Sequence, residues 1–225
     1  MNLAANLRLG ALWDLFFPPI CSLCDGHLER EDLFFCRRCW DRCESAQAED
    51  LPPFKHVDFA SVTFRMHHSS EDPVRSIVHA LKYDGRRVLA PNMARRLARA
   101  LPQDFLQRDA LWVPVPQYWV RRWQRGFNQS FLLARGLQRE LKVPLETKLL
   151  RRIRHTRSQT HLTPSERRKN VQNAFRVSQA IPIPDEVILI DDVITTGATM
   201  EECARTLKKA GVKWVGAAAF AKAKP

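Results

Sequence analysis

None of the eight glycines in this 225-residue chain is followed by lysine, so the phosphate-cradling loop of P-loop nucleotidases is missing. Apolar runs long enough to cross a bilayer are missing too. The nearest approach, Leu9 to Phe17, is interrupted by Asp14 and closed by Pro18-Pro19. Only Arg8 precedes it as a positive charge and no small-residue cleavage site follows, which argues against a secretion signal. Met1 to Ile20 is therefore expected to form an amphipathic helix packed on the body of a cytoplasmic protein. No internal repeat is present. Acidic residues are the scarcer charge, 24 against 36 lysines and arginines, for a formal charge of +12. Such a field attracts polyanions, whether nucleic acid or a multiply phosphorylated small molecule. At 45% hydrophobic residues the chain is globular and long enough for one core and a small appendage.

Cysteine is rare outside a single cluster. Cys21, Cys24, Cys36, Cys39 and Cys43 lie close together, and Cys203 stands alone in a predicted helix as a core residue. Two C-x-x-C pairs separated by eleven residues place Cys21, Cys24, Cys36 and Cys39 where two knuckle turns can close a tetrahedron around structural Zn2+. Cys43, or with less support His27, could displace Cys39. Disulfides are the alternative, disfavoured in a reducing compartment. Four sulfur ligands leave no open position, so the metal's expected role is to fold a segment too small to bury its own core.

Beyond the cysteines, Glu44 to Pro53 is polar, ends in two prolines and reads as a linker. Val57 to Arg65 is an expected strand. Asp72-Pro73 opens a helix with the apolar stripe Val74, Ile77, Val78 and Leu81, stopping near Tyr83-Asp84-Gly85. Asn92 to Leu101 is a second helix with Arg95, Arg96 and Arg99 on a solvated face. Leu111 to Val115 is a strand broken by Pro114 and Pro116, followed by a helix over Asn128 to Leu141. Short strands are expected at Val143 to Leu149 and Ala174 to Val177. Then come a strand ending at Asp191-Asp192, a helix over Met200 to Ala210, a turn at Gly211 and a last strand over Lys213 to Phe220. Alternating strands and helices imply an α/β fold with a mostly parallel sheet flanked by helices, and ligands bind there beyond the carboxyl ends of strands.

The stretch Val187 to Thr199 carries the chemistry. A β-branched run delivers the adjacent carboxylates Asp191 and Asp192, suited to accept hydrogen bonds from a vicinal diol. Thr195, Thr196, Gly197, Ala198 and Thr199 then form a turn of small residues at a helix start, where backbone N–H groups and hydroxyls suit a phosphate. Diol and monophosphate together describe a ribose 5-phosphate. The segment resembles the phosphoribosyl diphosphate (PRPP) motif of type I phosphoribosyltransferases. That resemblance places the ribose hydroxyls on Asp191 and Asp192, as the catalytic pair, and the 5-phosphate on Thr195 to Thr199.

Two basic stretches remain. Arg121-Arg122-Trp123-Gln124-Arg125-Gly126-Phe127 lies between a strand and a helix and offers guanidinium groups and exposed N–H groups to a diphosphate. Leu150 to Phe175, with Arg151, Arg152 and Arg154, is long and polar, and reads as a basic flap with a partial helix near Pro164 to Gln172. The order of the parts, from the paired C-x-x-C through Leu81-Lys82-Tyr83-x-Gly85, Val113-Pro114-Val115-Pro116, Arg125-Gly126-Phe127-Asn128-Gln129, Arg157-x-Gln159-Thr160 and Glu166-Arg167-x-x-Asn170 to Asp191–Thr199, resembles the ComF family of competence proteins along nearly the whole chain. This resemblance implies a zinc-finger segment over 1–50 joined to a type I phosphoribosyltransferase-like domain over 51–225, with a role in DNA uptake or handling during natural transformation. It implies PRPP with Mg2+ as ligand, Arg125, Gly126 and Phe127 at the diphosphate, residues 150–175 as the mobile catalytic loop, and uptake machinery such as a helicase as partner. Tyr83 is a candidate hood residue over the acceptor. The basic loops, Arg121, Arg122, Arg151, Arg152 and Arg154 among them, are expected to touch single-stranded DNA. Mg2+-dependent phosphoribosyl transfer and a non-catalytic DNA-binding module with a PRPP-sensing pocket both remain open readings.

Overall fold

The computed structural model describes residues 18–29, 32–120, 126–154 and 163–223. Two compact units divide the chain, Met1–Cys43 and Glu44–Pro225. The expected helix over Met1 to Ile20 lies outside the described residues except for Pro18 to Ile20, where Ile20 forms a bridge with His27. Among the described residues no helix is long and apolar enough to cross a membrane.

In the first unit, helix α1 (Arg37–Asp41) follows the second cysteine pair's first member. The second unit is built on four parallel strands in the order β1 (Phe59–Met66), β6 (Trp214–Ala223), β5 (Glu186–Ile194), β2 (Leu111–Pro114). The central strands are buried on both faces, which explains their nearly unbroken apolar sequences. Val187 and Leu189 of β5 join a core with Met200, Cys203, Ala204 and Leu207 of α7 (Ala198–Lys209). The alternate residues Ile188 and Ile190 are equally buried and point to the other face. There α3 (Leu89–Ala100) and α5 (Gln129–Leu141) pack together and onto the sheet. Gly136 allows their close approach, because a Cβ there would lie 2.4 Å from the Ala94 Cβ. Helix α2 (Pro73–Lys82) begins as its sequence dictates, with the Asp72 side chain accepting from Val74 N–H at 3.0 Å. The short α4 (Gln103–Leu106) buries Phe105.

Several sequence expectations change. Glu44 to Pro53 is no free linker: Arg65 N–H donates to Glu44 O, Ala46 N–H to Thr63 O, and the Arg65 guanidinium pairs with Asp50 at 2.9 Å. Its polar composition serves this pairing along β1. Val143 to Leu149 makes a single bridge, Trp112 with Leu145, instead of a strand. Pro144 has no N–H to extend a ladder, and Glu146 turns its side chain onto Lys148 N–H at 2.6 Å. Leu150 to Phe175 is not one open flap. Its ends form the antiparallel pair β3 (Leu150–Arg152) and β4 (Phe175–Val177), and α6 (Pro164–Val171) starts with a capping box between Thr163 and Glu166.

Candidate functional site

The sheet itself places the acid pair past the end of its edge strand. β2 is an edge strand and stops at Pro114, whose partner is Ile190, with Val115 N–H reaching Ile190 O at 2.9 Å. β5 continues to Ile194 alongside β6. Asp191 and Asp192 therefore stand beyond the end of β2 while still held in register by β6, whose neighbours are small alanines.

The two carboxyl groups are not equivalent. Asp192 is almost fully buried and its Oδ2 lies 2.7 Å from the Lys82 Nζ at the end of α2. Asp191 is less buried, and its Oδ1 accepts from the Ser130 hydroxyl at 2.7 Å and from Asp192 N–H at 2.9 Å. Ser130 sits in the first turn of α5, which Asn128 caps and ties to β2 by donating to Val115 O at 3.1 Å. Burial and the adjoining Asp192 charge push the Asp191 carboxyl up to about 8, against the pull of Ser130 and Lys82. Burial also opposes ionisation of Asp192, but the Lys82 ammonium and the hydrogen bonds from Asp191 and Lys82 outweigh it and hold that group low. The result is one acidic and one ionised carboxyl group sharing a site. Lys82 and Ser130 carry no sequence signal of this role. Lys82 ends an apolar stripe, and its pairing with Asp192 spans a separation that periodicity does not register.

The turn after β5 forms a cradle. Gly197 has φ +76°, and a Cβ there would come within 2.7 Å of both Pro52 and Phe54. α7 starts without a side-chain cap, which leaves its amino-terminal N–H groups for other acceptors. The Thr196 hydroxyl oxygen is buried and has no hydrogen-bond partner among the described residues. Glu201, in the first turn, accepts from Lys55 N–H and His56 N–H at 3.1 and 3.2 Å and meets His56 Nδ1 at 2.5 Å. The segment containing Pro52, Phe54 and His56 is thus a roof fastened to the same helix that carries the cradle.

Of the second strand–loop–helix turn, Gly126 and Phe127 are described, whereas Arg121, Arg122 and Arg125 lie outside the described residues. Gly126 has φ +75°, and the Arg87 guanidinium fills the space a Cβ would need, 2.7 Å from it. The same guanidinium stacks 4.5 Å from the Phe127 ring centroid. Arg87 is a further basic group that sequence periodicity did not single out.

The three flap arginines have separate environments. Arg151 is exposed on β3, and Arg152 lies over the Phe175 ring at 5.2 Å. Arg154 donates to Gln172 O at 2.5 Å and to Asn170 O at 3.2 Å, tying the hairpin to the end of α6. Below, Glu202 accepts from Asn173 N–H at 2.7 Å and from Arg205, which fixes the hairpin base to α7. Cys203 is fully buried in that helix, matching its reading as a core residue, and burial foremost pushes its thiol up. Tyr83 is exposed, with its ring 4.7 Å from His79.

In the first unit, the Sγ atoms of Cys21, Cys24, Cys36 and Cys39 all lie within 4.8 Å of one another. Cys21 to Cys39 and Cys24 to Cys36 are 3.6 and 3.7 Å apart. A metal–sulfur bond of about 2.3 Å in a tetrahedron requires sulfur separations of about 3.8 Å, so this set can hold a metal ion. None of the six cysteines is in a disulfide. Cys43 turns away, its thiol donating to Cys39 O at 3.7 Å, and His27 is not in the group. Burial pushes Cys36 and Cys39 up; it opposes Cys21 too, but N–H donors led by Cys36 bring that thiol down to about 7. Four thiols so close cannot all ionise without a cation among them.

Comparison with known proteins agrees with this geometry. Residues 128–225 match the phosphoribosyl transferase domain family. The DNA utilization protein YhgH of Salmonella typhimurium is 36% identical over 211 residues, covering 87% of each chain. Competence protein F of Haemophilus influenzae is 34% identical over 149 residues, 63% of this chain and 65% of that one. Competence protein ComFC of Streptococcus pneumoniae is 27% identical, over 86% of this chain and 83% of that one. With its parallel sheet, its cysteine cluster and its relatives matched along most of their length, the chain belongs to the ComF family, and it carries a phosphoribosyl transferase domain.

Proposed function

We propose that the second unit binds PRPP with Mg2+ and transfers its phosphoribosyl group, and that the protein acts in DNA uptake or processing during natural transformation. The observation that carries this reading is the acid pair held open beyond β2, one turn before the uncapped start of α7 with its unpartnered Thr196 hydroxyl. Asp191, the less buried acid, takes the ribose diol together with Asp192, and Lys82 keeps the second carboxylate ionised without leaving a bare buried charge. Thr195 to Thr199 receive the 5-phosphate on their N–H groups and hydroxyls. Arg125, Gly126 and Phe127 face the diphosphate. Mg2+ carried by the diphosphate would offset the negative charge that the acids would otherwise repel. During transfer a bond forms from the acceptor nucleophile to the anomeric carbon as the bond to the diphosphate breaks, with positive charge developing on the ring and negative charge on the departing pyrophosphate. Asp192, the ionised acid, stabilises the first and the basic loop the second. Zn2+ fits the four thiolates and serves folding.

The competence role rests on the relatives named competence protein F and DNA utilization protein, and on the charge of +12. The same observations support a second reading, a single-stranded-DNA-binding module in which the pocket senses PRPP without turnover, working beside a helicase or other uptake component in the cytoplasm.

Thermal melting with PRPP and Mg2+ tests the first step. Stabilisation of about 2.7 kcal/mol is expected at a hundredfold excess over the dissociation constant. Asp191→Asn with Asp192→Asn should abolish it; a double variant that still responds fully would remove the acids from the site. Pyrophosphate release with added acceptors separates the two readings: release identifies the transferase, and saturable binding without release identifies the sensor.

A further inference from the structure

A cavity of about 910 Å³, inside the range of small-molecule sites, opens between the end of β2 at Pro114 and the start of α5 at Asn128 and Phe131. Its walls include the aromatic rings of Trp119, Phe127 and Phe131, and among the described residues its charged lining is Arg87 and Lys148 with no acid. A cavity that joins aromatic faces to uncompensated cations selects a ligand that is flat, aromatic and anionic. Trp119 is 63% exposed even though the Tyr118 ring lies 5.7 Å away, so aromatic surface remains open to a ligand. Arg87 is already oriented over Phe127 and forms no ion pair among the described residues.

The wall also holds an incomplete hydrogen-bond pair. Gln117 lines the cavity and donates through Nε2 to Oε1 of Gln129, which is fully buried. Gln117 Oε1 and Gln129 Nε2 are then left without partners. Both atoms are buried, so the amide pair forms part of the wall and offers a ligand no hydrogen bond of its own.

We propose that this cavity is a nucleotide-binding site distinct from the acid pair, taking the base against Trp119 and Phe131 and the phosphate on Arg87 and Lys148. The site borders the acid pair, because Asn128 lines the cavity and Ser130, two positions on, holds Asp191. A nucleotide bound here would stand next to the phosphoribosyl ligand. The cavity shares Gly126 and Phe127 with the diphosphate end of the proposed PRPP site, and the inference is separable from that reading because Trp119, Phe131, Arg87 and Lys148 belong to neither that loop, the acids nor the cradle.

Isothermal titration of the full-length protein with AMP, adenosine and ribose 5-phosphate tests it. AMP should bind at least tenfold more tightly than adenosine. Trp119→Ala and Arg87→Ala should each weaken AMP about tenfold, the former being the effect of losing one base–aromatic stack. Both side chains are exposed, so circular dichroism should show unchanged folding, and the PRPP melting shift should persist in Trp119→Ala. Asp191→Asn with Asp192→Asn should retain AMP affinity. Loss of AMP binding in the acid variant, or its retention in the Trp119 and Arg87 variants, would place the nucleotide elsewhere and overturn the proposal, as would absence of AMP binding at millimolar concentration. Competition by a 5′-phosphorylated dT oligomer would identify the nucleotide as part of a strand, and its failure would identify a free nucleotide.

Discussion

Asp191 and Asp192 are neighbours in the chain, yet their surroundings drive their protons in opposite directions. Because the folded-state value of Asp191 is raised from the ordinary 3.8 to about 8, its contribution to stability is complete below about pH 4 and is lost as pH rises through about 8. Asp191→Asn removes that dependence. Calorimetry from pH 5 to 9 should show the wild-type melting temperature falling more steeply than that of the variant, and parallel curves would mean that Asp191 ionises as an ordinary carboxylate. Gly197 illustrates the other residue-level constraint. An alanine there must adopt φ +76° and push its Cβ against Pro52 and Phe54, each 2.7 Å away. Gly197→Ala should cost about 1–3 kcal/mol in urea unfolding, and it should weaken PRPP by lifting the roof from the cradle. The turn of small residues was legible in the sequence, as was the acid pair. The roof was not, because Pro52 and Phe54 lie far upstream in a stretch whose composition reads as a linker.

At the level of elements, β5 and α7 were readable because an apolar run followed by a polar turn and a 3.6-residue stripe leaves little choice. Within the 150–175 stretch the helix near Pro164 and the strand β4 at Phe175–Val177 were expected, whereas β3 was not, since its three residues are too short to show alternation. Their pairing comes from contacts with α7 that depend on Glu202 and Asn173. This changes what the flap arginines should do. Arg154→Ala removes two hydrogen bonds to the end of α6 and should lower the melting temperature, with a secondary loss of any DNA affinity. Arg151→Ala touches no such tie. If Arg151 contacts a phosphate, its replacement should leave stability unchanged and reduce the slope of log K against log salt for single-stranded DNA by about 1. An unchanged slope would take β3 out of the DNA footprint.

The whole molecule is held together by two different means. The Glu44–Pro225 unit has an extended core of strand and helix residues. The Met1–Cys43 unit buries, among its described residues, only Cys21, Phe35, Cys36, Cys39 and Trp40 as apolar side chains. Three of those five are the clustered thiols, so most of this small core is a metal site in waiting, and segments of this size rarely fold on apolar burial alone. Metal binding there is folding free energy, whereas the other unit gains nothing from it. Stripping metal with a strong chelator should therefore open residues 18–43 to trypsin while the main calorimetric transition and its shift with PRPP and Mg2+ stay in place. Cys21→Ser with Cys24→Ser should reproduce that pattern and lose stoichiometric zinc by metal analysis. Collapse of both units on chelation would mean that the cysteine segment supports the sheet as well, and retained zinc in the double variant would assign the metal to other residues.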